Sequence, residues 1–128
     1  MGAIAQTHLF CARSIAGMPA MSLIYSTFGN QEAAEKTAKK LLERHLIACA
    51  VFFPASSMYW WKGQLESAQE VILLAKTPKS KSVNARAELE KIHPYETPCV
   101  LEIPSSANAD YFKWLVKETA LPQKPKKK

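Results

Sequence analysis

The chain has 128 residues, 48% of them apolar and 22% charged, with a formal net charge of +6. That length is one domain with its own core, the balance excludes a disordered chain, and no apolar run approaches the roughly 20 residues of a membrane helix. The charge points to a polyanion partner only until it is located. Four of the seventeen basic residues are Lys124, Lys126, Lys127 and Lys128 and one is Arg13, so residues 22–121 hold twelve basic against eleven acidic side chains. A nucleic-acid-binding domain carries a basic face or stripe, and a near-neutral body argues against one here.

Taken from the N-terminus, residues 1–21 contain no acid, one Arg and one His. They read as a disordered extension, with a short transit peptide for organelle import as the alternative. The folded part is expected over 22–121, and the Pro/Lys stretch 122–128 as a disordered basic tail. The cysteines, Cys11, Cys49 and Cys99, are odd in number and widely spaced. Without a CxxC or CxxH pair they argue against structural zinc and against a disulfide framework, and favour reduced thiols in the cytoplasm.

Residues 23–27 form a short β-type run that ends at Phe28-Gly29-Asn30. Asn30 is a good N-cap, and Ala34, Ala38, Leu41 and Leu42 then recur at helical spacing over 31–44. Glu32/Lys36 and Glu35/Lys39 stand in the favourable i,i+4 order, with Lys39, Lys40 and Arg44 near the negative end of the helix dipole. Residues 46–53 are almost continuously apolar and read as a buried strand, which must bend or bulge at Pro54 before resuming over 57–61. Lys62-Gly63 is a turn signal, and the chain returns over 65–76, making a long hairpin tipped by Tyr59, Trp60 and Trp61. A second helix is predicted over 79–92, ended by His93-Pro94. A last strand follows over 99–104, then a helix over 109–119 capped by Asn108, with Tyr111, Trp114 and Leu115 as its apolar face.

The order is β-α-β-β-α-β plus a helix. Right-handed crossovers make this an α+β, ferredoxin-like chain: a four-stranded antiparallel sheet with both crossover helices on one face. The third helix covers only part of the other face, and a hairpin longer than one domain needs is a natural subunit contact.

Tyr59-Trp60-Trp61-Lys62-Gly63, followed by His93-Pro94-Tyr95-Glu96-Thr97-Pro98, resembles the CutA family of divalent-cation tolerance proteins. Leu46-Ile47-Ala48-Cys49-Ala50, the run ending in Lys76-Thr77, and Asp110-Tyr111-Phe112-Lys113-Trp114 are similar to further parts of that family's pattern. The resemblance spans about 22–120. It implies a homotrimer like that of the P-II signalling proteins, built through the long hairpins. It also implies a link to copper or another divalent metal and no established enzymatic activity.

Among individual residues, His93 is the leading metal-ligand candidate, since a neutral imidazole suits copper and zinc. The competing reading is that it ends a helix and bonds a nearby carbonyl. Glu96 offers an oxygen, and Cys49, which matches the family cysteine, offers a thiolate suited to Cu(I), although among Ile47, Val51 and Phe52 it also reads as a small core hydrophobe. Tyr59 and Trp61 face one way on a strand and Trp60 the other, so both faces need covering; trimer-interface packing and the lining of an inter-subunit cleft are both open to them. Tyr95 belongs with the same cleft, and Lys76, at a strand end, is either a surface charge or an anion contact within it. His45, His8 and Cys99 have no partner that the sequence identifies. No Ser-His-Asp order, phosphate loop or carboxylate pair is present, so no catalytic residue is assigned.

Overall fold

A computed structural model describes residues 19–120. Residues 1–18 of the expected leader and the whole 122–128 tail lie outside the described residues. One of the two inner strands, β1 (Ala20–Phe28), is paired on both sides, antiparallel to β3 (Gln64–Pro78) and to β4 (Val100–Ser106). β2 (Cys49–Trp61) pairs antiparallel with β3 and forms one edge. The order β2-β3-β1-β4 is the ferredoxin-like arrangement predicted from the element sequence.

Alternation along the strands divides the molecule. Ile24 and Phe28 on β1 and Leu73 and Ala75 on β3 point to one face. There they meet Ala34, Ala38 and Leu41 of α1 (Gln31–Glu43) and Ala85 and Leu89 of α2 (Ser82–Ile92). Each large side chain buried this way contributes about 1.5–3 kcal/mol relative to exposure. The hydroxyls that share this face are satisfied: Ser26 Oγ donates to the Cys99 carbonyl at 2.6 Å, and Thr77 Oγ1 to that of Leu46 at 2.7 Å. Ser22 Oγ donates to Glu102 at 2.6 Å, and that bond, helped by the Arg86 guanidinium, holds the Glu102 carboxyl below its usual range.

On the opposite face Met21, Ala107 and Leu115 form a smaller cluster under α3 (Ala109–Thr119), with Leu23, Ala48, Tyr111 and Phe112 around it. α3 covers only this end. Val51, Phe53, Tyr59, Trp61, Leu101 and Ile103 remain exposed.

Several local expectations are refined. β1 begins at Ala20, pairing with Ser106, and Met21 is core, so two residues assigned to the leader are part of the strand. The expected break at Pro54 is absent: the register runs through Pro54 opposite Val71. β2 is an edge strand, where a proline need not donate to a ladder. The second helix starts at Ser82 after a 3-10 turn, Lys79–Lys81. Asn30 caps α1 as predicted, its side chain accepting from the Ala33 N–H at 2.8 Å, whereas Asn108 holds the N-cap position of α3 with no side-chain hydrogen bond to the helix.

α1 ends in a Schellman motif. His45 is left-handed (φ 58), its N–H reaches the Leu42 carbonyl, and the Leu46 N–H reaches that of Leu41, both at 3.0 Å. The His45 ring also contacts the carbonyl of Glu118 through Nδ1 at 2.9 Å, tying the end of α1 to the end of α3. Sequence reasoning found no role for this residue.

Candidate functional site

The hairpin and the loop after α2 enclose a recess. Pro94 ends α2 by forcing His93 into an extended conformation (φ −66, ψ 138), which sends residues 94–99 across the end of β1 toward the hairpin. Between them lies a cleft of about 650 Å³, within the range of small-molecule sites. Tyr59 and Trp61 from β2, Tyr95 and Glu96 from the loop, and Glu70 from β3 line it, with Cys99 and Thr27 beyond them.

Glu70 is the group around which the cleft is organised. It is only 8% exposed. Ser57 Oγ donates to its Oε1 at 2.6 Å and the Tyr95 hydroxyl to its Oε2 at 2.9 Å. The Tyr95 phenol is pushed up to about 12, first by burial and then by its bond to Glu70 and that carboxylate's charge. Burial and the same charge also raise the Cys99 thiol. Cys99 is therefore held as the thiol, a poor metal ligand and nucleophile in that form.

His93 lies behind this wall and is 8% exposed. Its Nδ1 accepts the Tyr95 N–H at 3.1 Å, which leaves the ring proton on Nε2, donated to the Thr27 carbonyl at 2.9 Å. The ring stacks on Phe28, centroids 4.2 Å apart and planes 17° from parallel, and tilts against Tyr95 at 5.0 Å. Burial lowers its pKa, outweighing the Thr27 bond, which alone would raise it. Both ring nitrogens are thus engaged by backbone.

The three expected metal ligands are not brought together within one chain. Cys49 pairs with Lys76 on β3, whereas Thr27, the acceptor for His93, is opposite Ile72. Four residues of strand separate the two positions, roughly 13 Å. Glu96 is exposed at the cleft mouth. Among the described residues no group of three or more His, Cys, Asp or Glu side chains is arranged to hold a metal ion. The described donors of a single chain therefore do not by themselves fit a divalent metal.

Lys76 belongs to neither His93 nor the cleft. Its Nζ lies 5.4 Å from the centroid of the Tyr111 ring, beside Cys49 under α3. Burial and then the neighbouring Cys49 raise the Tyr111 phenol, while Lys76 opposes them. Trp60 points to the helix side of the hairpin and is 73% exposed, outside the cleft lining. Glu70, Ser57 and Cys99 were missed as cleft residues. One signal was available for Glu70: it shares strand parity with Ile72 and Leu74, so a carboxylate stands on an otherwise apolar face.

Known proteins are similar to this chain in sequence and fold. The profile of the family described as CutA1 divalent ion tolerance protein matches residues 22–118. The divalent-cation tolerance protein CutA of Thermotoga maritima is 42% identical over 96 residues, covering 74% of this chain and 95% of the relative. That of Pyrococcus horikoshii is 38% identical over 100 residues, covering 77% and 98%. The structure of the periplasmic divalent cation tolerance protein CutA from Archaeoglobus fulgidus superposes with a TM-score of 0.74 at 36% identity, covering 78% of this chain and 99% of that one.

Proposed function

Because this chain belongs to the CutA1 divalent ion tolerance protein family, we propose that it serves divalent-cation tolerance as a homotrimer that binds its ligand and catalyses no reaction. The observation that carries this reading is the uncovered sheet face. Val51, Phe53, Leu101 and Ile103 are exposed together opposite the crossover helices. Half-buried Leu74 and Tyr25 lie between the two pairs in register with Val51 and Leu101, and an apolar face of this kind marks an association surface.

Copper is the cation we assign, with other divalent ions as competitors. The described residues of one chain provide no closed donor set, so the ion would be held where protomers meet. Cys49 and Glu96 are the available donors, and His93 takes part only if a backbone bond opens. Copper titration of wild type, Cys49→Ser, Glu96→Gln and His93→Ala, each checked by sedimentation, tests this. The reading expects fewer copper ions per trimer in Cys49→Ser or Glu96→Gln and unchanged stoichiometry in folded His93→Ala. Binding unaltered in all three variants would remove these residues from the proposal. The odd, widely spaced cysteines support a reducing compartment, and we assign the cytoplasm; a fluorescent fusion of the whole chain found in an organelle or the periplasm would overturn that assignment.

The 650 Å³ cleft favours a second reading, a trimeric scaffold or small-ligand sensor. Tyr59, Trp61 and Tyr95 would contact the ligand, with a neighbouring protomer closing the open side.

A further inference from the structure

We infer that the cleft between the hairpin and the 94–99 loop binds an organic cation of the alkylammonium or alkylguanidinium class, an inference that rests on the ligand-cleft reading above. Charge is the first argument. Glu70 and Glu96 line the cleft, and among the described residues no Lys, Arg or His does. Glu70 is almost wholly buried, yet its two bonds come from neutral hydroxyls, those of Ser57 and Tyr95. An ionised carboxylate has about four acceptor sites, so two remain for donors that enter the cleft. A buried carboxylate without an ionic partner is costly, and a cation that reaches it forms a charge-assisted, preferably bidentate, bond.

The walls supply the second argument. Tyr59, Trp61 and Tyr95 are aromatic, and the electron-rich faces of such rings attract cations within about 6 Å. The Trp61 ring already has one cation near it, with Lys62 Nζ 5.4 Å from its centroid. Carboxylate plus aromatic walls is the chemistry that receives ammonium and guanidinium groups on an apolar stem. A bare metal ion is served badly by it, because a hard cation needs six or more oxygens at close range. The charge of Glu70, which pushes Tyr95 and Cys99 toward their protonated forms, equally disfavours an anionic ligand.

The test uses the intact chain, with its assembly state fixed by sedimentation, and three probes of similar length: butylguanidinium, pentanoate and 1-pentanol. Calorimetry and tryptophan fluorescence read the binding. Butylguanidinium should saturate, with the other two at least about tenfold weaker, and Glu70→Gln, checked by its melting curve, should weaken it about tenfold or more, a loss of about 1.4 kcal/mol. If Glu70→Gln does not fold, the three-probe comparison on wild type decides alone. Equal binding of all three probes would overturn the cation class while leaving a ligand cleft. Butylguanidinium binding that folded Glu70→Gln retains in full would overturn the site. No saturable binding of any probe would overturn the inference and the ligand-cleft reading together, including the case in which a neighbouring protomer's basic side chain already fills the cleft. Either failure is distinct from failure of the trimer, which sedimentation reads separately.

Discussion

At the scale of the residue, His93 shows how a recognisable motif acquires a physical role. Pro94 makes the end of the helix legible in the sequence. The partner of the ring is not, because Thr27 lies 66 residues away and is brought close only by the pairing of β1 in the sheet. Neutral in the fold, with Nδ1 accepting and Nε2 donating, the ring resists protonation. Its folded pKa lies below the ordinary 6.5, so its contribution to stability is fully present above pH 6.5. As pH falls below 6.5 the unfolded chain takes up a proton that the folded ring refuses. Stability is then lost until the lowered folded value is passed. Thermal melts at several pH values between 7.5 and 5.5 should show a steeper fall for wild type than for His93→Gln, which keeps a donor but cannot titrate. Parallel curves would mean that the ring is not under this constraint. Glu102 also destabilises on acidification, but only as pH falls through the carboxylate range below its ordinary value of 4.5, outside this window. The ring contact of His45 was illegible for a similar reason: its left-handed backbone belongs to the local end of α1, but its bond to the Glu118 carbonyl depends on where α3 docks.

At the scale of the element, the hairpin was legible where local chemistry decides and illegible where sheet position decides. Lys62-Gly63 marks the turn, and both residues have positive φ (51 and 80) between the last pair, Trp61 and Gln64. Two left-handed residues in a two-residue loop make the type I′ connection that matches the twist of the strands. Pro54 misled because a proline forbids a central strand but not an edge, and edge position is a property of the whole sheet. A Cβ added to Gly63 meets nothing within 4 Å, so substitution there tests backbone conformation alone. Gly63→Val should cost about 1–3 kcal/mol, since a β-branched residue is forced into the left-handed region. Lys62→Gly should be neutral or stabilising by up to about 1 kcal/mol. Denaturant unfolding of the two variants measures the difference. A Gly63→Val protein as stable as wild type would show that the loop adopts another geometry in solution.

At the scale of the molecule, the element order was enough to place β1 and β3 at the centre and the crossover helices together, because right-handed connections leave few alternatives. It also marked one sheet face as incompletely covered, which α3 confirms by packing over one end of it, on Met21, Leu23 and Ala48 and beside Lys76 of β3. The cleft was half legible. Its aromatic walls announce themselves, but the carboxylate at its centre lies inside a strand, and only the pairing with β2 and the approach of the 94–99 loop bring it into one recess. The uncovered face leads to the prediction at this scale. Phe53 is 42% and Leu101 49% exposed, on strands at opposite edges of the sheet, with the central strands between them. A charge at Phe53 would stay partly hydrated in an isolated chain, so it should cost that chain little. Buried without a partner between protomers, it would cost far more. Phe53→Asp should therefore shift the sedimenting species from the proposed trimer toward monomer while keeping the helical circular-dichroism signal. Trp60, on the other side of the hairpin and 73% exposed, separates two modes of assembly. If Trp60→Asp dissociates the protein and Phe53→Asp does not, the helix side of the hairpin is the contact and the open sheet face is not. If Phe53→Asp alone dissociates it, the face left bare by α3 is the surface on which the chains meet.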